Sequence, residues 1–175
     1  MNAFQRKLRL SPRTATVAIM LFYIVLSRYP ERDVSMVYNA VDVARFIVGN
    51  AGEPVSNLKL QKMLYFAWVG YYNKTRTYLF GDDICAWKFG PVIPSAYSEF
   101  RIYGGMPITT RKESTIRGRD ADMLKDVISA CVGKTATSLV NMAHRPGGPW
   151  ERTYDGGLGD RKKIPFERIV ELECQ

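Results

Sequence analysis

Apolar residues recur every three or four positions through most of the chain, which is the spacing of amphipathic helices. The strongest example covers residues 56–72, with the sequence SNLKLQKMLYFAWVGYY. The positions that we expect to face the core are Leu60, Met63, Leu64, Ala67, Trp68 and Tyr71. Ser56 is a good N-cap for this helix, and Asn73-Lys74 is expected to close it. Because burial of each large apolar side chain contributes about 1.5–3 kcal/mol, this helix is predicted to be central to the core.

The remaining helices are predicted from the same spacing and from their end signals. They cover residues 38–52, 95–105 and 120–133, the first part of 135–154 and the last part of 156–173. Pro94 is expected at the start of one helix, and Asp120 is expected to cap another. Pro146 should break the helix that begins near residue 135, and Pro165 should lie in the first turn of the last helix.

A different pattern occupies residues 84–89, where successive side chains alternate as in a short strand. Gly90-Pro91 is expected to break this strand, and residues 106–119 are predicted to form a hairpin or a loop. No alternation of strands and helices indicates a doubly wound sheet. The predicted fold is therefore mainly α with a small β element (α+β), a compact single-domain helical bundle with a short strand or hairpin.

The 175 residues suffice for one domain with a sizeable core, which we place at residues 36–175. Residues 1–35 hold six basic and two acidic residues, half of the net charge of +8. Their uncharged run, residues 14–27, is shorter than the about 20 residues of a membrane-spanning helix, so no membrane role is expected. This segment is predicted to be an N-terminal extension, either a packed helix or residues upstream of a true start of translation at Met36. The alternative is a signal peptide, although the usual cleavage site is missing.

The content of cysteine and histidine argues against metal and disulfide chemistry. The three cysteines (Cys85, Cys131 and Cys174) are far apart, form no CxxC pair, and are accompanied by a single histidine. We therefore expect no zinc site, no disulfide framework and no cofactor. A reducing cytoplasm is the compartment that fits best.

An enzyme would have to use His144, which is the only histidine. Cys85 or Cys131 could serve as its nucleophile, and Glu151 or Asp155 could orient it. The structural alternative is that the imidazole caps the carbonyls at a helix end, with Trp150 packed behind it. Because a triad needs three residues in contact and no Walker-type loop is present, we predict that the protein is not an enzyme.

Basic residues cluster at residues 111–119 (RKESTIRGR) and 161–163 (RKK). Charge runs usually form a solvated face, although such clusters also contact phosphate groups. The strong helices carry wide apolar faces, and no convincing exposed recognition helix is present. A DNA-binding regulator is therefore kept only as an alternative.

Five phrases stand out along the chain: VARFI, SNLKLQKMLYFAW, AWKFGPVIPSAYSEF, YGG and MAHRPGGPW. In this order they resemble the Panacea domain, the family of SocA-like antitoxins and phage-associated GepA proteins. The resemblance covers about residues 36–172, and the segment before it departs from the family pattern. It implies a mainly helical domain that neutralises a small protein toxin encoded nearby. It also implies an alternative, in which the domain is an adaptor that presents a toxin to a Clp protease.

The residues that we expect to contact a partner are Lys59, Lys62, Phe66, Trp87, Lys88, Phe89, Pro91, His144 and Trp150. The first three share a second side of helix 56–72, where bases alternate with an aromatic residue. Gly90-Pro91 is expected to force a turn between strand and helix, which would display Trp87, Lys88 and Phe89. Aromatic residues are enriched among interface anchors, whereas lysine is depleted. In the structural alternative, the helix serves the core alone and the turn packs under Trp150.

Overall fold

A computed structural model describes residues 38–110 and 112–174 of the chain. The predicted extension at residues 1–35, with its alternatives, lies outside the described residues. The described part is mainly helical and carries one small two-stranded antiparallel sheet, which confirms the α+β prediction. None of its helices is long and apolar enough to cross a membrane.

The described residues form seven α-helices and two strands. They are α1 (Ala40–Asn50), α2 (Asn57–Thr75), β1 (Cys85–Trp87), β2 (Gly90–Val92), α3 (Pro94–Phe100), α4 (Gly118–Cys131), α5 (Ala136–Ala143), α6 (Pro149–Tyr154) and α7 (Phe166–Glu173). A 3-10 turn, Arg101–Tyr103, follows α3, and another, Asp155–Gly157, follows α6.

Helix α2 is the centre of the domain and contacts α1, α3, α4, α5, α7 and β2. All six positions predicted to face the core are buried. Ser56 caps the helix as predicted, since its hydroxyl accepts a hydrogen bond from the backbone N–H of Lys59. The helix runs past the predicted end, because Arg76 adopts a left-handed conformation and donates its N–H to Tyr72 O. The helix is buried on several sides, and Trp68 donates its Nε1–H to Phe80 O. This burial makes α2 the scaffold for the site.

Two helices begin at other residues than predicted, the first with a side-chain cap and the second without one. Helix α1 begins at Ala40, since the Asn39 side chain accepts from the backbone N–H of Asp42. Helix α4 begins at Gly118, and the Asp120 carboxylate does not cap it. Asp120 instead accepts hydrogen bonds from the hydroxyls of Tyr38 (2.8 Å) and Tyr71 (3.3 Å). The predicted Asp120 cap is therefore wrong, because two tertiary hydrogen bonds engage this carboxylate.

The predicted single strand is a hairpin in the structure. Strand β1 turns at Lys88-Phe89, and Gly90–Val92 returns as β2, with Ala86 opposite Pro91. Gly90 has φ +100, which suits glycine and lets the chain re-enter the sheet. Pro91 has no N–H to donate, but it is tolerated because the backbone of Ala86 makes its hydrogen bonds on the side away from β2. Ala86 N donates to Lys162 O (2.8 Å), and Ala86 O accepts from Arg161 N (2.7 Å). The prediction that Gly90-Pro91 ends the strand before a turn is thus wrong.

The loop and C-terminal predictions have mixed outcomes. Pro94 begins α3 as predicted, and Pro165 precedes α7 as its N-cap residue. In the described part of residues 106–117 the chain is a loop, in which one backbone bridge joins Pro107 to Ser56, and the hairpin alternative is absent there. The last two residues of the predicted segment, 118 and 119, belong to α4. Helix α6 was not predicted, although Pro149 at its first position is a typical start signal.

Candidate functional site

The turn of the hairpin presents two exposed side chains, Lys88 and Phe89. Phe89 is 60% exposed, whereas every other aromatic residue in the described part of the chain is buried or half-buried. Trp87, just before the turn, is half-buried. The display of Lys88 and Phe89 at a corner of the fold agrees with the sequence prediction, whereas their contact with a partner stays a prediction.

Beneath the hairpin lies Lys62, whose side chain is fully buried. Its Nζ donates a hydrogen bond to Pro91 O at 2.5 Å. Desolvation by burial lowers the pKa of Lys62 to about 7. Lys62 faces the hairpin and not solvent, because β2 covers this side of α2, which agrees with the structural alternative in which the helix serves the core. The φ of +100 favours glycine at position 90, and a Cβ there would also lie close to Lys62 Nζ (3.0 Å) and to His144 Nε2 (3.2 Å).

Lys59 and Phe66, which share the second side of the helix with Lys62, are also not exposed. Lys59 is buried, pairs with the Glu53 carboxylate at 2.5 Å and donates to Lys134 O at 2.6 Å. The hydrogen bond from Lys59 lowers the pKa of Glu53 below its usual range. Phe66 is half-buried and packs edge-on against Tyr65, with ring centroids 5.4 Å apart. None of these three residues is exposed, which agrees with the structural alternative in which the helix serves the core alone, and their contact with a partner stays a prediction.

His144 and Trp150 form a stacked pair behind the hairpin. Their ring centroids are 3.5 Å apart with an interplanar angle of 4°, and Tyr154 stacks on the far side of Trp150. Trp150 Nε1 donates to Trp87 O at 2.8 Å, which fixes the hairpin against α6. The packing of Trp150 behind His144 is as predicted. The predicted capping by the imidazole is wrong, because it is the backbone N–H of His144 that bonds to Val140 O and Asn141 O.

The structure does not assemble the candidate catalytic groups. Among the described residues, neither ring nitrogen of His144 takes part in a hydrogen bond, and the buried Nε2 is left unpaired. Burial, and then the charge of Lys62, lower the pKa of His144. Burial raises the pKa of the Cys85 and Cys131 thiols, which disfavours the reactive thiolate. The Glu151 carboxylate accepts from the backbone N–H of Gly147 instead of orienting His144.

The described residues also contain no group of three or more side chains suited to a metal ion. Of the basic clusters, Arg111 lies outside the described residues. Arg117 donates to Ser114 O and Ile116 O, and Lys163 pairs with Asp83 at 2.5 Å. Part of the positive charge is therefore engaged within the fold.

A groove of about 540 Å³ opens beside the hairpin, and we call it the hairpin groove. Its apolar lining includes Leu58, Trp87, Phe89, Val92 and Tyr97, and its charged lining is Lys88, Arg101, Asp160 and Arg161. Trp87 and Tyr97 meet edge to face at 4.9 Å, and the Arg161 guanidinium lies 4.9 Å from the centre of the Trp87 ring. Three lining residues, Trp87, Lys88 and Phe89, were predicted from sequence. The other lining residues come from α2, β2, α3 and the turn that follows it, and the loop after α6, and their spacing in the sequence does not indicate that they share a surface.

Residues 60–151, which include the hairpin and the stacked His144–Trp150 pair, match the family model described as antitoxin SocA-like, Panacea domain. The chain belongs to the SocA-like antitoxin family. It is 35% identical over 126 residues to the antitoxin SocA of Caulobacter vibrioides (strain NA1000 / CB15N). That alignment covers 62% of this chain and 67% of the relative. No solved structure matches. The resemblance drawn from the sequence phrases is thus confirmed.

Proposed function

We propose that this protein is the antitoxin of a toxin–antitoxin pair and neutralises a small protein toxin by direct binding. The observation that carries the proposal is a solvent-exposed Phe89 on a hairpin turn, beside an aromatic groove, in a chain of an antitoxin family. Exposed apolar groups grouped beside a groove are typical of protein-binding surfaces. The scattered candidate catalytic groups support a role without catalysis.

The hairpin is suited to binding because its position is fixed from behind. Trp150 holds Trp87 through the bond to its carbonyl oxygen, and Lys62 holds Pro91 in the same way. A surface that is already ordered loses less conformational entropy when a partner binds. Trp87 and Phe89 can therefore act as anchors at a lower entropic cost than the same residues on a loose loop. The free thiols of Cys85, Cys131 and Cys174 support action in a reducing cytoplasm.

The proposal is tested by co-expression with the small reading frame adjacent to the gene. We expect that frame to arrest growth alone, and growth to recover when this protein is co-expressed. We also expect the two chains to co-purify as a stable complex. Absence of toxicity from the neighbouring frame together with absence of a complex would refute the proposal.

The half-life of the toxin separates blocking from delivery to a protease. Direct blocking leaves the toxin at its normal half-life, in a complex with this protein. Delivery to a Clp-type protease instead shortens the half-life, and only when both this chain and the protease are present. A gel-shift assay at low and high salt tests the DNA-binding alternative. DNA binding through phosphate contacts would weaken steeply with salt, and no shift at low salt would exclude it.

A further inference from the structure

We propose that the hairpin groove binds a short acidic segment of the partner protein, with one large aromatic or aliphatic side chain anchored among Trp87, Phe89 and Tyr97. The inference rests on the proposed function for the identity of the partner, the toxin. The chemistry of the segment follows from the groove itself, through its apolar floor, its charge and the state of its polar groups.

The apolar floor suits a single large side chain. Trp87 and Tyr97 form an edge-to-face pair at the base, and Phe89 and Leu58 are 60% and 40% exposed beside them. Binding energy at interfaces concentrates in aromatic-lined pockets that exclude water around one anchor. A ring or a branched aliphatic group from the partner would cover these surfaces and remove them from water.

The charge of the groove favours an acidic partner. Three cationic side chains, Lys88, Arg101 and Arg161, line it against one carboxylate, Asp160. Asp160 lies 3.8 Å from the Arg161 guanidinium, so this single acid is already beside a base. Lys88 and Arg101 have no ion pair and no side-chain hydrogen bond to any residue in the described part of the chain. Carboxylates on the partner would complement these cations and would also speed association.

The polar groups of the floor are already engaged. Gln61 accepts from the backbone N–H of Ile93 and donates to the Asn57 side chain, and Asn57 donates to Tyr97 O. A small polar ligand would find few groups free to fix its orientation, whereas such sites normally need several. Recognition through an apolar anchor and peripheral charge is instead the mode of a peptide segment.

The experiment selects peptides from a phage-displayed library of random dodecapeptides on the immobilised full-length protein. We expect enrichment of sequences that combine Asp or Glu with one Trp, Phe or Leu. Affinity of a synthetic peptide from the selection is then measured by fluorescence anisotropy. Phe89→Ala, Arg101→Glu and Arg161→Glu should each weaken binding by about tenfold or more. These residues are exposed, so the variants should retain the wild-type melting temperature.

Two matched controls share the chemistry of the changes but lie outside the groove lining. Lys162→Glu inverts the charge next to Arg161, and Met142→Ala removes an exposed apolar side chain on α5. Both should bind the peptide as the wild type does. Selection of basic sequences, selection of nothing, or equal loss in the control variants would overturn the inference.

The growth assay with the same variants separates this inference from the proposed function. Full rescue and full toxin binding by all three groove variants would place the toxin elsewhere, so the inference would fail while the antitoxin role stands. Groove-dependent binding of acidic peptides by a protein that rescues no toxin would support the groove chemistry and refute the antitoxin role.

Discussion

Replacing Gly159 with alanine should destabilise the fold by about 3 kcal/mol or more. A Cβ at this position would lie 1.7 Å from Thr153 O and 2.8 Å from the carbonyl carbon of the same residue. These are backbone atoms, so no side-chain rotation relieves the overlap, and α6 or the following loop must move. Gly159 N also donates to Tyr154 O at 2.9 Å, a bond that the displacement would break.

The same change should also weaken the hairpin groove. Gly159 is followed by Asp160 and Arg161, which line the groove, and Arg161 N donates to Ala86 O of β1. If the loop moves, the Arg161 guanidinium leaves the Trp87 ring. Urea unfolding measures the loss of stability, and anisotropy with a groove-selected peptide measures the loss of binding.

Gly49→Ala is the matched control for Gly159→Ala. Gly49 lies in α1, and a Cβ added there would have no heavy atom within 4 Å beyond its own helical turn. Alanine there should raise the free energy of unfolding by about 0.4–1 kcal/mol, because it restricts the unfolded chain and favours the helix. An unfolding midpoint for Gly159→Ala equal to that of the wild type would contradict the predicted overlap.

Replacing Lys62 with methionine should remove a pH dependence of stability that the wild type shows above pH 7. Burial lowers the pKa of Lys62 to about 7 in the folded protein, whereas the unfolded value is about 10.4. Above pH 7 the unfolded chain therefore keeps a proton that the folded protein releases, so stability rises with pH. Lys62 alone is expected to contribute a rise of about 1.5 kcal/mol between pH 7 and pH 8.5.

The pH range of this measurement is chosen by considering the other groups whose protonation changes. His144, which faces Lys62, has a pKa lowered in the fold, so its contribution to stability changes only below about pH 6.5. Burial raises the pKa of the three cysteine thiols, whose unfolded value is about 8.5, so their ionisation in the unfolded chain opposes the rise from about pH 7.5 upward, and it does so equally in the wild type and in the lysine variants. Urea unfolding of the wild type and of Lys62→Met, compared at each step between about pH 7 and pH 8.5, therefore isolates the proton of Lys62.

Lys88→Met is the control for the lysine replacement, because Lys88 is exposed at the hairpin turn. It should keep the wild-type profile, whereas the profile of Lys62→Met should lack the rise of about 1.5 kcal/mol that Lys62 contributes between pH 7 and pH 8.5. The methionine variant also leaves Pro91 O without its donor, so its absolute stability differs from that of the wild type. A rise of equal size in both variants would show that Lys62 keeps its ordinary pKa in the fold.

The apolar period of the sequence was sufficient to locate most helices and the core face of α2. Leu60, Trp68 and the four other predicted positions are buried because a 3.6-residue period places them on one side, whatever packs there. The Ser56 cap and the Pro94 start are equally local, since each depends on backbone groups within one helical turn. Local chemistry of this kind can be read from neighbouring residues alone.

The second side of α2 could not be predicted in the same way. A lysine on a helix is expected to face water, yet β2 covers Lys62 and the residues near 134 cover Lys59. Whether a polar side of a helix is solvated depends on which distant segment crosses it. The positions of the covering segments are set by contacts far apart in sequence, such as Trp150 with Trp87.

The sequence by itself determined the helical framework, the central place of α2 and, through its phrases, the antitoxin family. Tertiary structure alone decided that residues 84–92 form a hairpin and that Leu58, Tyr97, Arg101 and Arg161 join its aromatic turn in one groove. The physical reason is the separation along the sequence over which each kind of interaction acts. Helix periodicity and capping act over a few residues, whereas a binding surface collects side chains from separate segments that only the packed fold brings together.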